Sequence, residues 1–368
     1  MRSLIAFFLL FIVVSSRKVS RKFAEPQIIP FVRQNENSPQ VVEMLIGSPP
    51  QKLKVALCYE TYASTNGKVM DQIVLFKPKN CGNKKTQFFD SSKSKTLKNL
   101  NQHTDNRRLF GGQIFADRIA LGFDSALMQN LSFVIADSKD SCKFAGLWPM
   151  DPIAKTDVWE PLLKHKPKPV VTITADTSPR IKGVWSTGQL MIGSYNEKSC
   201  KPIGLSQYGQ LYFDAPAFVV GNLKTSWPFA QSPRGYLDLN SDRLEFGSVH
   251  YRNLFSEKKI ENKNGRSFVD CSSNWTIGYE MPKKNYVILA KTKHIFKFED
   301  LYVEPTKKKA GGRCELKLGV WKNRKFGFKV PAQLLDYYCV HQKYEVDDGK
   351  KNFERFEGWT EVSFSVRR

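Results

Sequence analysis

The chain reads Val41-Val42-Glu43-Met44-Leu45-Ile46-Gly47-Ser48-Pro49-Pro50-Gln51-Lys52-Leu53-Lys54-Val55-Ala56-Leu57 and then Cys58-Tyr59-Glu60-Thr61. Two short apolar runs flank a Gly-Ser-Pro-Pro break, and this texture recurs along most of the chain. Residues 113–121, 131–136, 170–174, 189–192 and 286–290 are similar runs of apolar, β-branched and aromatic residues, separated by Gly, Pro, Asn and Ser. Their length and residue type are those of strands, and few segments sustain a helical period. The spacing predicts two short helices. One covers 158–164, with Val158, Leu162 and Leu163 together; the other covers 331–338, opening on a proline at a tolerated first-turn position and grouping Leu334, Leu335 and Tyr338. A mostly-β chain in two halves is expected, with no tandem repeat.

The 368 residues suffice for two domains of ordinary size. Residues 1–16, with Met1-Arg2, an apolar run over 4–14 and Ser15-Ser16, read as a secretory signal peptide, the run being too short to span a bilayer. No later stretch is long and apolar enough to span one, so a soluble, exported monomer is expected, outside the cell or in a lysosome-like compartment. Seven cysteines in an exported chain imply disulfides with at least one thiol left over. Asn130-Leu131-Ser132 and Asn274-Trp275-Thr276 are glycosylation sequons at Asn130 and Asn274. The formal net charge of +22 favours acidic glycans or other polyanions as partners. The bases are nevertheless scattered, in Arg17-Lys18, Lys164-His165-Lys166, Lys283-Lys284 and Lys307-Lys308-Lys309 among others, and form no nucleic-acid-binding motif.

The stretch 41–57 resembles the opening of the pepsin-like aspartic proteases, which continues into Asp-Thr-Gly-Ser, where the Asp is the first of two catalytic carboxylates. Further segments resemble that family in the expected order. They are Phe88-Phe89-Asp90-Ser91-Ser92-Lys93-Ser94-Lys95-Thr96, then Gly112-Gln113-Ile114-Phe115-Ala116-Asp117-Arg118-Ile119-Ala120-Leu121-Gly122, Phe144-Ala145-Gly146-Leu147, Gly188-Gln189-Leu190-Met191-Ile192-Gly193 and Leu334-Leu335-Asp336-Tyr337-Tyr338-Cys339. The resemblance implies a bilobal fold, with two β-rich lobes, a cleft between them and a few short helices. A short basic segment would cover 17–40, the N-terminal lobe 41–200 and the C-terminal lobe 201–368.

Cys58 stands where the resemblance places the first aspartate. Gly235-Tyr236-Leu237-Asp238-Leu239-Asn240-Ser241 falls at the second loop, making Asp238 the second carboxylate, although Asp-Leu-Asn-Ser is equally an ordinary turn. Aspartic proteolysis needs two carboxyl groups sharing one proton, one acting as base and the other as acid. A thiol suits nucleophilic attack instead, and none of His103, His165, His250, His294 and His341 lies in a cysteine-protease motif. Glu60 is about 6.5 Å further along a strand, too far to share a proton without remodelling. The flap, Tyr-Gly-Thr/Ser-Gly at its tip in active relatives, here reads His103-Thr104-Asp105-Asn106-Arg107-Arg108-Leu109-Phe110-Gly111-Gly112.

The resemblance implies a Cys271–Cys314 disulfide, and related secreted proteins suggest Cys200–Cys339. Cys58, Cys81 and Cys142 remain, with Cys81–Cys142 preferred and Cys58–Cys81 its rival. These readings lead to a secreted, non-catalytic pepsin-like protein that binds a peptide, protein or polyanion through the cleft or its basic surface, with no metal and no cofactor. The competing readings are an aspartic endopeptidase with an atypical dyad and an extracellular structural or storage protein.

Overall fold

The computed structural model describes residues 25–35, 38–59, 72–77, 86–104, 110–136, 143–150, 158–163, 166–176, 186–202, 205–208, 213–214, 217–220, 223–226, 234–241, 243–256, 260–263, 266–271, 277–281, 294–296, 312–321, 325, 327–332, 334–344 and 360–368. Among them strands dominate, as the apolar texture of the sequence predicts. The chain divides into two compact units. Unit 1 comprises Met1–Arg33, Gln40–Asn196 and His341–Gly358; unit 2 comprises Gln34–Pro39, Glu197–Val340 and Trp359–Arg368.

Unit 1 is built from β1 (Gln27–Arg33), β2 (Val41–Ile46), β3 (Gln51–Cys58), β4 (Ile73–Phe76), β5 (Lys98–His103), β6 (Gly112–Leu121), β7 (Gln129–Ala136), β8 (Gly146–Pro149), β9 (Val170–Ala175) and β10 (Ser186–Ile192). The strand order β2-β3-β8-β4-β7-β6 closes on itself because β6 also pairs with β2, giving a barrel of six strands. Closure removes the open edges that an unpaired strand would present. Val42, Met44, Val55, Leu57, Ile73, Ile119, Leu121 and Phe133 are among its fully buried side chains. β1, β10 and β9 extend the sheet from β2. Gly188 lies against Phe31, where any Cβ would come within 2.3 Å of the ring. The helix expected over 158–164 is α1 (Trp159–Leu163), which buries Trp159, Leu162 and Leu163.

Unit 2 contains β11 (Leu205–Tyr208), β12 (Phe213–Asp214), β13 (Ala217–Val220), β14 (Leu223–Ser226), β15 (Arg234–Leu237), β16 (Leu244–Gly247), β17 (Glu261–Lys263), β18 (Arg266–Asp270), β19 (Ile277–Met281), β20 (His294–Phe296), β21 (Arg313–Leu316), β22 (Leu318–Trp321) and β23 (Phe328–Val330). β24 (Tyr338–Tyr344) leads the chain back into unit 1, and β25 (Thr360–Val366) pairs with β11. A helix that the sequence did not announce, α2 (Ser248–Phe255), buries His250, Tyr251, Leu254 and Phe255. Its start at Gly247 carries no side-chain cap, so the usual opening signal is missing. The helix expected over 331–338 is only α2's shorter successor, α3 (Leu334–Tyr337); Tyr338 already belongs to β24, where buried Cys339, Val340 and His341 follow in extended backbone. Among the described residues of unit 2, two disulfides act as staples, Cys200–Cys339 and Cys271–Cys314, with Cα separations of 6.1 and 5.0 Å. Each contributes roughly 2–4 kcal/mol by restricting the unfolded chain.

The two units repeat one pattern of strand pairing. In unit 1, β8 lies between β3 and β4, parallel to β3 and antiparallel to β4, while β4 runs parallel to β7. In unit 2, β23 lies between β15 and β16, parallel to β15 and antiparallel to β16, while β16 runs parallel to β22. The register matches Leu57, opposite Trp148, with Leu237, opposite Val330. The next residues are Cys58 in one unit and Asp238 in the other.

Candidate functional site

Cys58 ends β3. Its carbonyl accepts the Met150 N–H at 2.8 Å, and the Leu57 N–H before it is donated to the Gln40 carbonyl at 2.8 Å. The side chain lies in an apolar cluster with Val74, Phe76, Ile114, Val134 and Ala136, against which Phe88, Phe110, Phe144 and Leu147 pack. Phe76 makes edge and tilted contacts with Phe110 and Phe144 at 5.9 and 6.1 Å. Cys58 is a buried thiol. Tyr59 turns the other way and donates its hydroxyl to Gln40 Oε1 at 2.8 Å.

Asp238 follows β15. Its N–H is donated to the Val330 carbonyl at 2.9 Å and its own carbonyl accepts the Ser241 N–H at 2.9 Å, so the segment is also a turn. Ser241 Oγ accepts the Arg243 N–H at 3.0 Å. The Asp238 carboxylate meets Lys329 Nζ of β23 at 3.2 Å, with the two side chains only 22 and 17% exposed. Lys329 also approaches Glu245 at 3.8 Å and stands over the Trp321 ring at 5.2 Å, which Tyr236 meets edge-on at 5.3 Å. Lys329 carries no sequence signal of its own. Only the parallel pairing of β15 with β23 brings it to Asp238.

A third set of contacts ties together segments singled out by sequence. Gln51 and Asp90 exchange two hydrogen bonds of 2.9 Å, side-chain amide to backbone. Ser94 donates to buried Asp117 at 2.7 Å, and Thr96 donates to its other carboxylate oxygen. Ser94 Oγ also accepts the Ser48 N–H at 3.1 Å, beside Gly47 in left-handed backbone (φ 87°), where a Cβ would come within 2.8 Å of that hydroxyl. Short polar residues here do structural work on the turn between β2 and β3. The hairpin of β5 and β6 is closed by Thr104, whose backbone N–H reaches the Gly112 carbonyl at 3.0 Å.

His103 is exposed on β5. His250 accepts the Gly327 N–H at 3.0 Å, and burial pushes its pKa below the usual value. His341 contacts Thr172 Oγ1 at 3.0 Å and the Tyr195 ring at 5.3 Å; burial pushes its pKa down to about 4. Asn130 is exposed on β7. Glu60, Cys81, Cys142, His165 and Asn274, the strand expected over 286–290, the signal peptide and the flap tip 105–109 lie outside the described residues. Among the described residues no group of three or more His, Cys, Asp and Glu is placed to hold a metal ion, and no helix is long and apolar enough to cross a membrane. No family model and no curated protein matches the chain.

Proposed function

We propose that this chain is an exported, non-catalytic protein with two pepsin-like lobes, which acts by binding a peptide, a protein or an acidic glycan. The observation that carries the reading is the pair of matched strand ends. Cys58 and Asp238 occupy the same register position in the two repeated strand patterns, so one of the two carboxylates is replaced by a thiol. Two further features support it. Cys58 is walled by apolar side chains, and the Asp238 carboxylate is engaged by the Lys329 ammonium. Proton sharing between like groups, the basis of aspartic proteolysis, has no counterpart in an Asp–Lys pair. Disulfides in unit 2 fit an oxidising compartment.

The test is peptide cleavage by the purified protein from pH 3 to 7, with and without pepstatin, beside an Asp238→Ala control. No activity at any pH is expected. Pepstatin-sensitive cleavage lost in the control would overturn the reading and establish an endopeptidase with an atypical dyad.

A further inference from the structure

We propose that the outer face of β5 and β6, together with the segment leading into β5, is a binding surface for a sulfated polysaccharide. The inference rests on the export reading above and gives its acidic-glycan partner a location. The segment Ser91-Ser92-Lys93-Ser94-Lys95-Thr96-Leu97-Lys98 carries three lysines within six residues, and all three are exposed. Its backbone is anchored along its length. Asp90 caps the short helical turn by accepting the Ser92 N–H at 3.1 Å, Lys95 N–H is donated to the Ser48 carbonyl at 2.7 Å, and Ser94 and Thr96 both donate to Asp117.

Asp117 is 2% exposed, so its charge faces inward, while the next residue, Arg118, is exposed. Lys98 lies opposite Ala116 in the β5–β6 ladder. Alternation along β6 puts Ala116 and Arg118 on one face, making Lys98 and Arg118 diagonal neighbours on it. Four cations are thereby gathered on a fixed backbone. Asp90 shares the surface, and Lys93 meets it at 3.1 Å with both side chains open to solvent.

The chemistry favours an extended polyanion over other acidic partners. Alternating sulfates along a sugar chain match cations spaced along a strand, and the anchored loop lowers the ordering cost of binding. The residues on this face opposite one another, Lys98, Ala116, Arg118, Asn130 and Ser132, include no aromatic ring on which a nucleic-acid base could stack.

The experiment compares two variants of the full chain, each lacking four positive charges. One carries Lys93→Gln, Lys95→Gln, Lys98→Gln and Arg118→Gln. The other carries Lys201→Gln, Arg252→Gln, Lys263→Gln and Lys325→Gln, all exposed positions of unit 2. Binding to a size-defined heparin oligosaccharide is expected to weaken about tenfold or more in the first variant and about twofold or less in the second, with affinity falling as salt rises. Equal losses in both variants, absence of binding by the unsubstituted chain, or tighter binding to single-stranded DNA or anionic vesicles than to heparin would each overturn the proposal. Thermal melting of both variants checks that they fold. Peptide cleavage is untouched by either set, so failure here leaves the non-catalytic reading to its own test.

Discussion

The strand ends at Cys58 and Asp238 share a position in two copies of one topology, yet the surroundings they build are opposites. In unit 1 the strand beside β3 contributes Leu147 to an aromatic, apolar cluster around the thiol. In unit 2 the matching strand contributes Lys329 to a charged cluster around the carboxylate. Each central strand supplies what its neighbour requires: an apolar wall for an uncharged group, a cation for an anion. The difference teaches that matching positions in a repeated pairing pattern can pose two separate local problems, and each is solved by ordinary packing rules.

The severest way to break this comparison is to give unit 1 the residue of unit 2. Cys58→Asp would put an unpaired carboxylate into the apolar cluster, at an expected loss of about 3–5 kcal/mol in urea unfolding and with no gain of peptidase activity. An aspartate tolerated there at little cost would mean that water reaches the site, and would reopen the case for a dyad.

Acid provides a second contrast. His341 of unit 1 has a pKa lowered to about 4 when folded, whereas an unfolded histidine titrates near 6.5. The unfolded chain therefore binds more protons between these values. The neutral ring's contribution is complete above about pH 6.5 and is lost as the pH falls towards 4, on the order of 3 kcal/mol in all. His250 of unit 2 is shifted in the same direction, so it adds to the slope. Replacing His341 by Gln should flatten the profile of unfolding midpoint against pH; an unchanged slope would assign the acid sensitivity elsewhere.

The converse exchange concerns Lys329→Met, which leaves Asp238 and Glu245 without their shared cation. A loss of about 1–3 kcal/mol is expected, and most of it should vanish in an Asp238→Asn background if the ion pair is the cause. Additive effects in that cycle would mean that Lys329 acts through Glu245 or Trp321 instead of Asp238. The smallest expected effect is Cys58→Ala, which removes one sulfur atom from the cluster and should cost about 1 kcal/mol by denaturant unfolding. A much larger loss would give the thiol a role beyond filling space.

The strand-rich character was legible because alternating burial leaves a local imprint: β3, Gln51–Cys58, reads polar and apolar in turn before its buried end. α2 was not legible. His250, Tyr251, Leu254 and Phe255 form its buried side, but a polar-capped start is absent and the preceding β16 runs directly into it. The late helix was overextended for a related reason, since Tyr338 suits a helical face and a strand equally and only the pairing of β24 decides. The repeat between the units left no tandem repeat in the sequence. It is a repeat of pairing order, and pairing order does not require similar residues: Gly146-Leu147-Trp148 and Phe328-Lys329-Val330 hold matching places.

By itself, then, the sequence determined a β-rich chain with seven cysteines and singled out two positions, Cys58 and Asp238. Tertiary structure decided that these positions share a register in the two pairing patterns, that the first packs against apolar residues as distant as Leu147, and that the second is matched to Lys329, ninety-one residues on. The physical reason is range. Strand propensity is fixed by neighbours along the chain, whereas the burial and charge state of a site are fixed by whichever strands the closed sheet brings alongside it.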